Sequence, residues 1–223
     1  MLIVAGIPLD EEYHNLPDDL KDIARSSDFV IGEEKKNVLK FLARSDARGK
    51  EFILLNEHTE EHDYFDIVDR VKNAGKVLFF SDGGTPCVAD PGYKFIDLCH
   101  NAGVSIVPYP GPSSITAALS ISGFYAERFY FAGFLPKDRS LYKKFAEKIE
   151  IIGETTVIFE RPYGMKNIIE FVKLIKQRKI CIIFNIGKPD FYYIRGTMED
   201  ISNCLLNKKN IKSPFVAIID RKL

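Results

Sequence analysis

Short apolar runs alternate with amphipathic helices from one end of this chain to the other, and no other feature limits its fold as strongly. In the first half the runs fall at 2–6, 28–32, 51–55, 76–80 and 104–107. Between them apolar side chains recur at helical spacing, as in Val38, Leu39, Phe41 and Leu42, or Phe65, Val68 and Val71. Strands this short and this uniformly apolar are buried on both faces, which a parallel sheet covered by helices provides. The pattern restarts after Gly123, with runs at 128–134, 155–159, 179–184, 191–196 and 214–220 and a basic helix between the first two. The runs at 179–184 and 191–196 read as neighbouring strands. The expected fold class is therefore α/β, with two α/β domains, 1–120 and 121–223, and a ligand cleft between them.

The 223 residues, 46% hydrophobic and 28% charged, are enough to bury cores of this kind. That excludes a disordered tail, a collagen-like fibre and a disulfide-stapled miniprotein. No run of 18 apolar residues is present, so no membrane span is expected. The opening MLIVAG has no basic start and no long apolar stretch, so a cytoplasmic protein is expected. The four cysteines form no Cys-x-x-Cys pair, and Cys87 has no neighbouring base to make it a nucleophile. A formal charge of zero conceals a division. Residues 1–111 hold 20 acids against 12 bases, a net of −8, and residues 112–223 hold 11 acids against 19 bases, a net of +8. An anionic partner meets the C-terminal half, or two domains attract each other, or the charges form ordinary solvated faces.

In open α/β sheets ligands bind beyond the carboxyl ends of the strands. After the run at 76–80 come Ser81-Asp82-Gly83-Gly84-Thr85-Pro86 and then Asp90-Pro91-Gly92-Tyr93. Adjacent glycines let a backbone come close to a ligand, Asp82 accepts hydrogen bonds from ribose hydroxyls or an ammonium, and Thr85 adds a hydroxyl. After the run at 104–107 come Pro108-Tyr109-Pro110-Gly111-Pro112-Ser113-Ser114, with both serines at the start of a helix. Each loop alone reads as a tight turn or a helix cap. Two of them on successive parallel strands read as a binding site. Neither G-x-G-x-x-G after the first strand nor a P-loop is present, which disfavours those two nucleotide sites.

The segments SDGGTP-CVADPGY, VPYPGPSSITAALSISG and RFYFAGFLPKDR together resemble the tetrapyrrole methylase superfamily, S-adenosylmethionine-dependent methyltransferases with two α/β domains. DFVIGEEKKNVLKFL, NEHTE and TTVIFERPYGM resemble its branch that methylates the ribose 2′-hydroxyl of a cytidine in small-subunit ribosomal RNA. The resemblance implies S-adenosylmethionine as cofactor, ribosomal RNA as partner and a homodimer. It places the cofactor against Pro8, Asp82, Gly83, Gly84, Thr85, Ser113, Ser114 and Ile115, with Glu160, Ile186 and Gly187 from the second domain. Glu33 and Glu34 are the candidates for a base acting on a ribose hydroxyl. An acidic helix start suited to the helix dipole is their alternative reading. Lys36, Lys137 and Arg139 are candidate substrate contacts, with Lys143 and Lys144 following, or else they form solvated faces.

His58 and His62 lie one helical turn apart, but the zinc-protease pattern needs Glu directly after the first His and a third ligand, and the expected chemistry calls for no metal. The chain departs from the ribosomal branch on the substrate side. Pro8 to Leu16 replaces a shorter Pro-Ile-Gly-Asn-Leu stretch, Glu33-Glu34-Lys35-Lys36 replaces Glu-Asp-Thr-Arg, and Asn185-Ile186-Gly187-Lys188-Pro189 replaces Arg-Glu-Leu-Thr-Lys. No counterpart of the C-terminal segment that many of its members carry is expected after the run at 214–220. A corrin or porphyrin methylase, a methylase acting on protein in the diphthamide manner, and a non-catalytic binder of the cofactor stand as the other readings.

Overall fold

The computed structural model describes residues 1–10, 12–175, 177–206 and 214–222, so Glu11 of the altered first loop lies outside the described residues. Contacts divide the chain into two compact units, Met1–Ser113 and Ser114–Leu223.

In the first unit the apolar runs become strands β1 (Leu2–Ala5), β2 (Phe29–Gly32), β3 (Phe52–Leu54), β4 (Val77–Phe80) and β5 (Ile106–Tyr109). All are parallel and run in the order β3-β2-β4-β1-β5. β5 begins two residues later than the run at 104–107 because β1 pairs Leu2 with Ile106 and Ala5 with Tyr109. Pro108 is admitted to this strand because β5 is the sheet edge, where a missing N–H interrupts no second ladder.

Helices α1 (Asp18–Ser26) and α2 (Lys35–Arg44) cover one face of this sheet through Leu20, Ala24, Val38, Phe41 and Leu42. Helices α3 (Glu61–Asn73) and α4 (Gly92–Asn101) cover the other through Val68, Val71, Phe95 and Cys99. Local chemistry sets their starts. Pro17 precedes α1, which opens on Asp18 and Asp19 and closes on Arg25, the charge order that the helix dipole favours. At α3 the Glu60 N–H donates to Asp63 Oδ2 at 3.1 Å. Adjacent strands β1 and β4 therefore send the chain to opposite faces, α1 to one and α4 to the other. The carboxyl ends of these strands form a topological switch point, the place where such sheets hold ligands.

The second unit holds β6 (Phe129–Phe134), β7 (Thr155–Glu160), β8 (Ile180–Phe184), β9 (Tyr192–Gly196) and β10 (Phe215–Ile219) in the order β6-β7-β10-β8-β9. β6 and β7 are parallel and the other pairs antiparallel, with the expected neighbours β8 and β9 joined as Ile180 to Gly196 and Phe184 to Tyr192. Helices α6 (Tyr142–Ile152), α7 (Met165–Val172) and α8 (Met198–Leu206) pack on the face of Ile158, Ile182 and Ala217. Helix α5 (Ser114–Ser122) packs on the opposite face, against Val157, Cys181, Ile183 and Val216. α6 stops at Gly153, whose φ of 71° suits glycine and whose N–H reaches the Ile149 carbonyl at 3.0 Å. Arg178 is buried behind it, donating to the carbonyls of Ile149 at 3.3 Å and Glu154 at 2.7 Å and facing Glu150. Among the described residues no helix is long and apolar enough to cross a membrane.

Candidate active site

Three loops meet at the carboxyl edge of the first sheet, and backbone geometry holds them together. Ile7 N–H donates to the Gly84 carbonyl at 3.0 Å and Gly84 N–H to the Ile7 carbonyl at 2.9 Å, an antiparallel bridge that joins the loops after β1 and β4. Gly84 has a φ of +80°, a conformation that L side chains rarely adopt. The loop after β5 closes on the same place: Gly6 N–H donates to the Tyr109 carbonyl at 3.0 Å, and a β-carbon on Gly111 would overlap the Gly6 backbone. Thr85 Oγ1 donates to the Pro112 carbonyl at 3.3 Å. Gly83 is different. Its φ is not positive, it is exposed, and an added β-carbon would lie 3.5 Å from the Pro8 carbonyl oxygen, an ordinary contact. Nothing in the fold requires a glycine there.

The altered first loop is part of this assembly. Tyr13, 1% exposed and at a φ of 51°, donates its hydroxyl to the Asp82 carbonyl at 2.8 Å. Two basic residues of α2 fasten the adjoining Glu12, with Lys40 Nζ on its carboxylate at 2.7 Å and Arg44 Nε on its carbonyl at 3.1 Å.

Beside the stitched loops lies a group of carboxylates. Glu33 follows β2 and lines a small crevice with Ser81, Asp90, Phe79, Phe80 and Gly92. Burial pushes the Glu33 carboxyl up to about 7, the charges of Asp82, Asp90 and Glu34 add to the rise, and a hydrogen bond from the Asp82 backbone opposes it. Glu34 N–H donates to Asp82 Oδ1 at 3.1 Å, and Asn56 Nδ2 reaches the Glu33 carbonyl at 3.3 Å. Asp90 accepts from Cys87 N–H and Gly92 N–H, both at 2.8 Å, and burial raises its carboxyl against the pull of those bonds. Burial and then Asp90 push the Cys87 thiol up to about 12, so at neutral pH it is no nucleophile. The arrangement offers a half-buried carboxyl that changes protonation near neutrality, on a negative edge suited to a cation.

Of the residues expected from the sequence, Pro8, Asp82, Gly83, Gly84, Thr85, Ser113, Glu33 and Glu34 thus share the carboxyl edge of the first unit. Lys36 is exposed on the first turn of α2. Ser114 and Ile115 open α5 and group with the second unit, Ile115 being buried against its sheet. Glu160 is the last residue of β7 and 4% exposed, with its carboxyl on the helical side, where a β-carbon at Gly164 would overlap it and the Tyr142 hydroxyl lies in its field. Ile186 packs partly on the α5 face and Gly187 is exposed at a φ of +83°. Lys137 and Arg139 are exposed, Arg139 reaching Asn167 and Glu170 at 3.0 Å each. Sequence reasoning gave no role to Tyr13, Asn56 or Asp90. The signals available were a carboxylate before Pro-Gly in the loop after β4, which marks Asp90, and the NEHTE stretch, which contains Asn56.

A larger concavity of about 820 Å³ lies between the start of α3 and α4. Glu57, Glu61 and Asp97 line it against a single Lys94, so it repels phosphate.

The sequence profile of the family described as Tetrapyrrole (Corrin/Porphyrin) Methylases matches residues 1–202. The chain belongs to this family. As a tetrapyrrole methylase family member it is a methyltransferase, and its relatives are similar over most of its length. It is 30% identical over 204 residues to the ribosomal RNA small subunit methyltransferase I of Mycobacterium tuberculosis (strain CDC 1551 / Oshkosh), covering 90% of this chain and 71% of that one. It is 27% identical over 213 residues to the protein of the same description from Thermotoga maritima, covering 93% of each. Among solved structures, a diphthine synthase matches with a TM-score of 0.74 at 18% identity, over 98% of this chain and 89% of that one. A uroporphyrin-III-C-methyltransferase from Thermus thermophilus matches with a TM-score of 0.62 at 16% identity, over 98% and 93%. At such identities the two structures show that this methylase shares their fold.

Proposed function

We propose that this methyltransferase transfers a methyl group from S-adenosylmethionine to a ribose hydroxyl of small-subunit ribosomal RNA. The observation that carries the reading is the likeness over 204 residues to a ribosomal RNA small subunit methyltransferase. Corrin and porphyrin acceptors have the family's description and a likeness of fold at 16% identity in their favour, and a protein acceptor a likeness of fold at 18%, against 30% identity to the ribosomal RNA enzyme.

The carboxyl edge of the first sheet suits the cofactor. Asp82, Thr85 and Ser113 supply an acceptor and two hydroxyls for an amine, a carboxylate and a ribose diol, and Gly83 leaves open backbone beside Pro8. When bound, S-adenosylmethionine supplies an electrophilic methyl group on a sulfonium centre. The carboxylates of Glu33, Glu34, Asp82 and Asp90 give this edge the sign that favours such a cation. Glu33 takes the proton of the ribose hydroxyl as its oxygen bonds the methyl carbon, while the carbon–sulfur bond of the donor breaks and a neutral thioether leaves. Its affinity for a proton near neutrality matches that task, since a base held far below the working pH has little drive to accept one. The hydrogen bond between Glu34 N–H and Asp82 Oδ1 fixes the β2 and β4 loops against each other, which keeps base and donor groups in register.

Mass spectrometry of ribosomal RNA from cells with and without the protein tests the reaction. Loss of one methylated nucleoside from the small subunit is expected, and an unchanged pattern defeats the assignment. Calorimetry with S-adenosylhomocysteine tests the site independently of the acceptor: Asp82→Ala and Ser113→Ala are expected to weaken binding about tenfold or more, and unaltered affinity in both defeats the site.

A further inference from the structure

The second unit carries an aromatic and cationic lip that the reaction chemistry does not use. Two loops build it. The first follows β6, whose register shifts between Phe131 and Phe134, and runs from Phe134 through the exposed Lys137 to the short turn Arg139–Leu141. The second follows β7 and runs through Arg161 and Tyr163 into α7. Two arginines lock them together. Arg161 lies over the Phe134 ring at 4.6 Å and donates to the Leu135 carbonyl at 3.3 Å, while Arg139 reaches Asn167 and Glu170 of α7.

Tyr163 is the anomaly of this lip. It is 69% exposed, and among the described residues its ring stacks on no neighbour and its hydroxyl has no partner. Its φ is 69°, where glycine or asparagine sits at less cost than a bulky aromatic. Folding alone gives no reason for a large apolar ring in a strained backbone position facing water. The loop after β6, held to the Tyr163 loop through Arg161, carries Phe134, itself 38% exposed and topped by that guanidinium, and the exposed Lys137, while the exposed Lys166 lies on the first turn of α7. The carboxylates nearby are committed: Asp138 accepts from Ser140 N–H at 2.8 Å, Glu170 holds Arg139, and Glu160 is buried. Exposed rings interleaved with unpaired lysines suit single-stranded nucleic acid, in which bases stack on the rings and phosphates meet the cations.

We propose that this lip is a subsite for single-stranded RNA in which a nucleobase stacks on Tyr163 and the flanking phosphates meet Lys137 and Lys166. The inference rests on the RNA reading above and adds a residue that grips the strand. Tyr163 is here a binding residue and takes no part in methyl transfer.

The test is fluorescence anisotropy of the full chain with a labelled single-stranded RNA of about 15 nucleotides, across a range of salt. Tyr163→Asn keeps a residue that tolerates positive φ, so the fold is retained and a thermal melt verifies it. This variant is expected to weaken binding about tenfold with the salt dependence unchanged, because stacking releases no counterions. Tyr163→Phe is expected to bind like the parent. The double variant Lys137→Ala and Lys166→Ala is expected to flatten the plot of log Kd against log salt by roughly 1.4, about 0.7 for each phosphate of a single strand that is no longer neutralised. Parent-like binding by a folded Tyr163→Asn, or weakening by Tyr163→Phe as large as by Tyr163→Asn, overturns the stacking subsite and leaves the RNA reading standing. Failure of the parent protein to bind RNA at all overturns both.

Discussion

Glu33 shows how one side chain links the chemistry of this edge to the stability of the fold. A carboxyl raised to about 7 holds its proton in the folded state at pH values where the unfolded chain, near 4.5, has lost it. The folded state then binds more protons than the unfolded one, so stability falls as pH rises from about 4.5 to about 7. Glu33→Gln removes this loss, and the variant is expected to melt above the parent at pH 8. The gain is roughly 1–2 kcal/mol once solvent screening of a half-buried group is allowed for. Scanning calorimetry at pH 4 and pH 8 checks the sign, since the difference should vanish at the lower pH. The same variant should lose methyl transfer by about a hundredfold or more. In the parent, the single-turnover rate should climb with pH, pass half its maximum near 7 and level off above it, and Asp90→Asn should move that limb to lower pH by removing a negative neighbour. Glu33 was legible in the sequence because it follows a strand within a motif. Tyr13 was not, because a lone aromatic in an acidic loop has no periodicity to expose it and its partner is a backbone carbonyl 69 positions away.

Among the elements, glycines of the carboxyl edge separate structural need from ligand need. A β-carbon at Gly111 meets the Gly6 backbone, which cannot yield, so Gly111→Ala is expected to destabilise by about 2–3 kcal/mol in urea unfolding. A β-carbon at Gly83 meets only ordinary contacts. Gly83→Ala should therefore leave stability within about 0.5 kcal/mol while weakening S-adenosylhomocysteine about tenfold by calorimetry. The strands themselves were readable from their apolar runs, with two instructive exceptions. β5 sits two residues beyond its apolar run because pairing with β1, rather than local apolarity, sets its register. Glu160 was expected beyond its strand, yet it is the last residue of β7 and shares a face with Ile158, which directs it to the helices. Position at a strand end is visible in a sequence; the face of the sheet that a side chain takes is settled by pairing.

For the molecule as a whole, the division of charge becomes a division of tasks. The net −8 of residues 1–111 sits with the carboxylates proposed to favour a sulfonium, and the net +8 of residues 112–223 with the cations proposed to meet phosphate. The two kinds of binding should respond differently to salt. RNA affinity should fall steeply between 50 and 200 mM salt through counterion release, whereas S-adenosylhomocysteine affinity should change little, and equal sensitivity would contradict the division. The stitch between Ile7 and Gly84 carries a last consequence. Its two amides lie beyond the ends of β1 and β4 yet are engaged as firmly as ladder amides, so the edge is rigid before any small molecule arrives. Hydrogen–deuterium exchange at both should be slow in the ligand-free protein and hardly slower in its complexes, the behaviour of a rim that is cast rather than moulded around its guest.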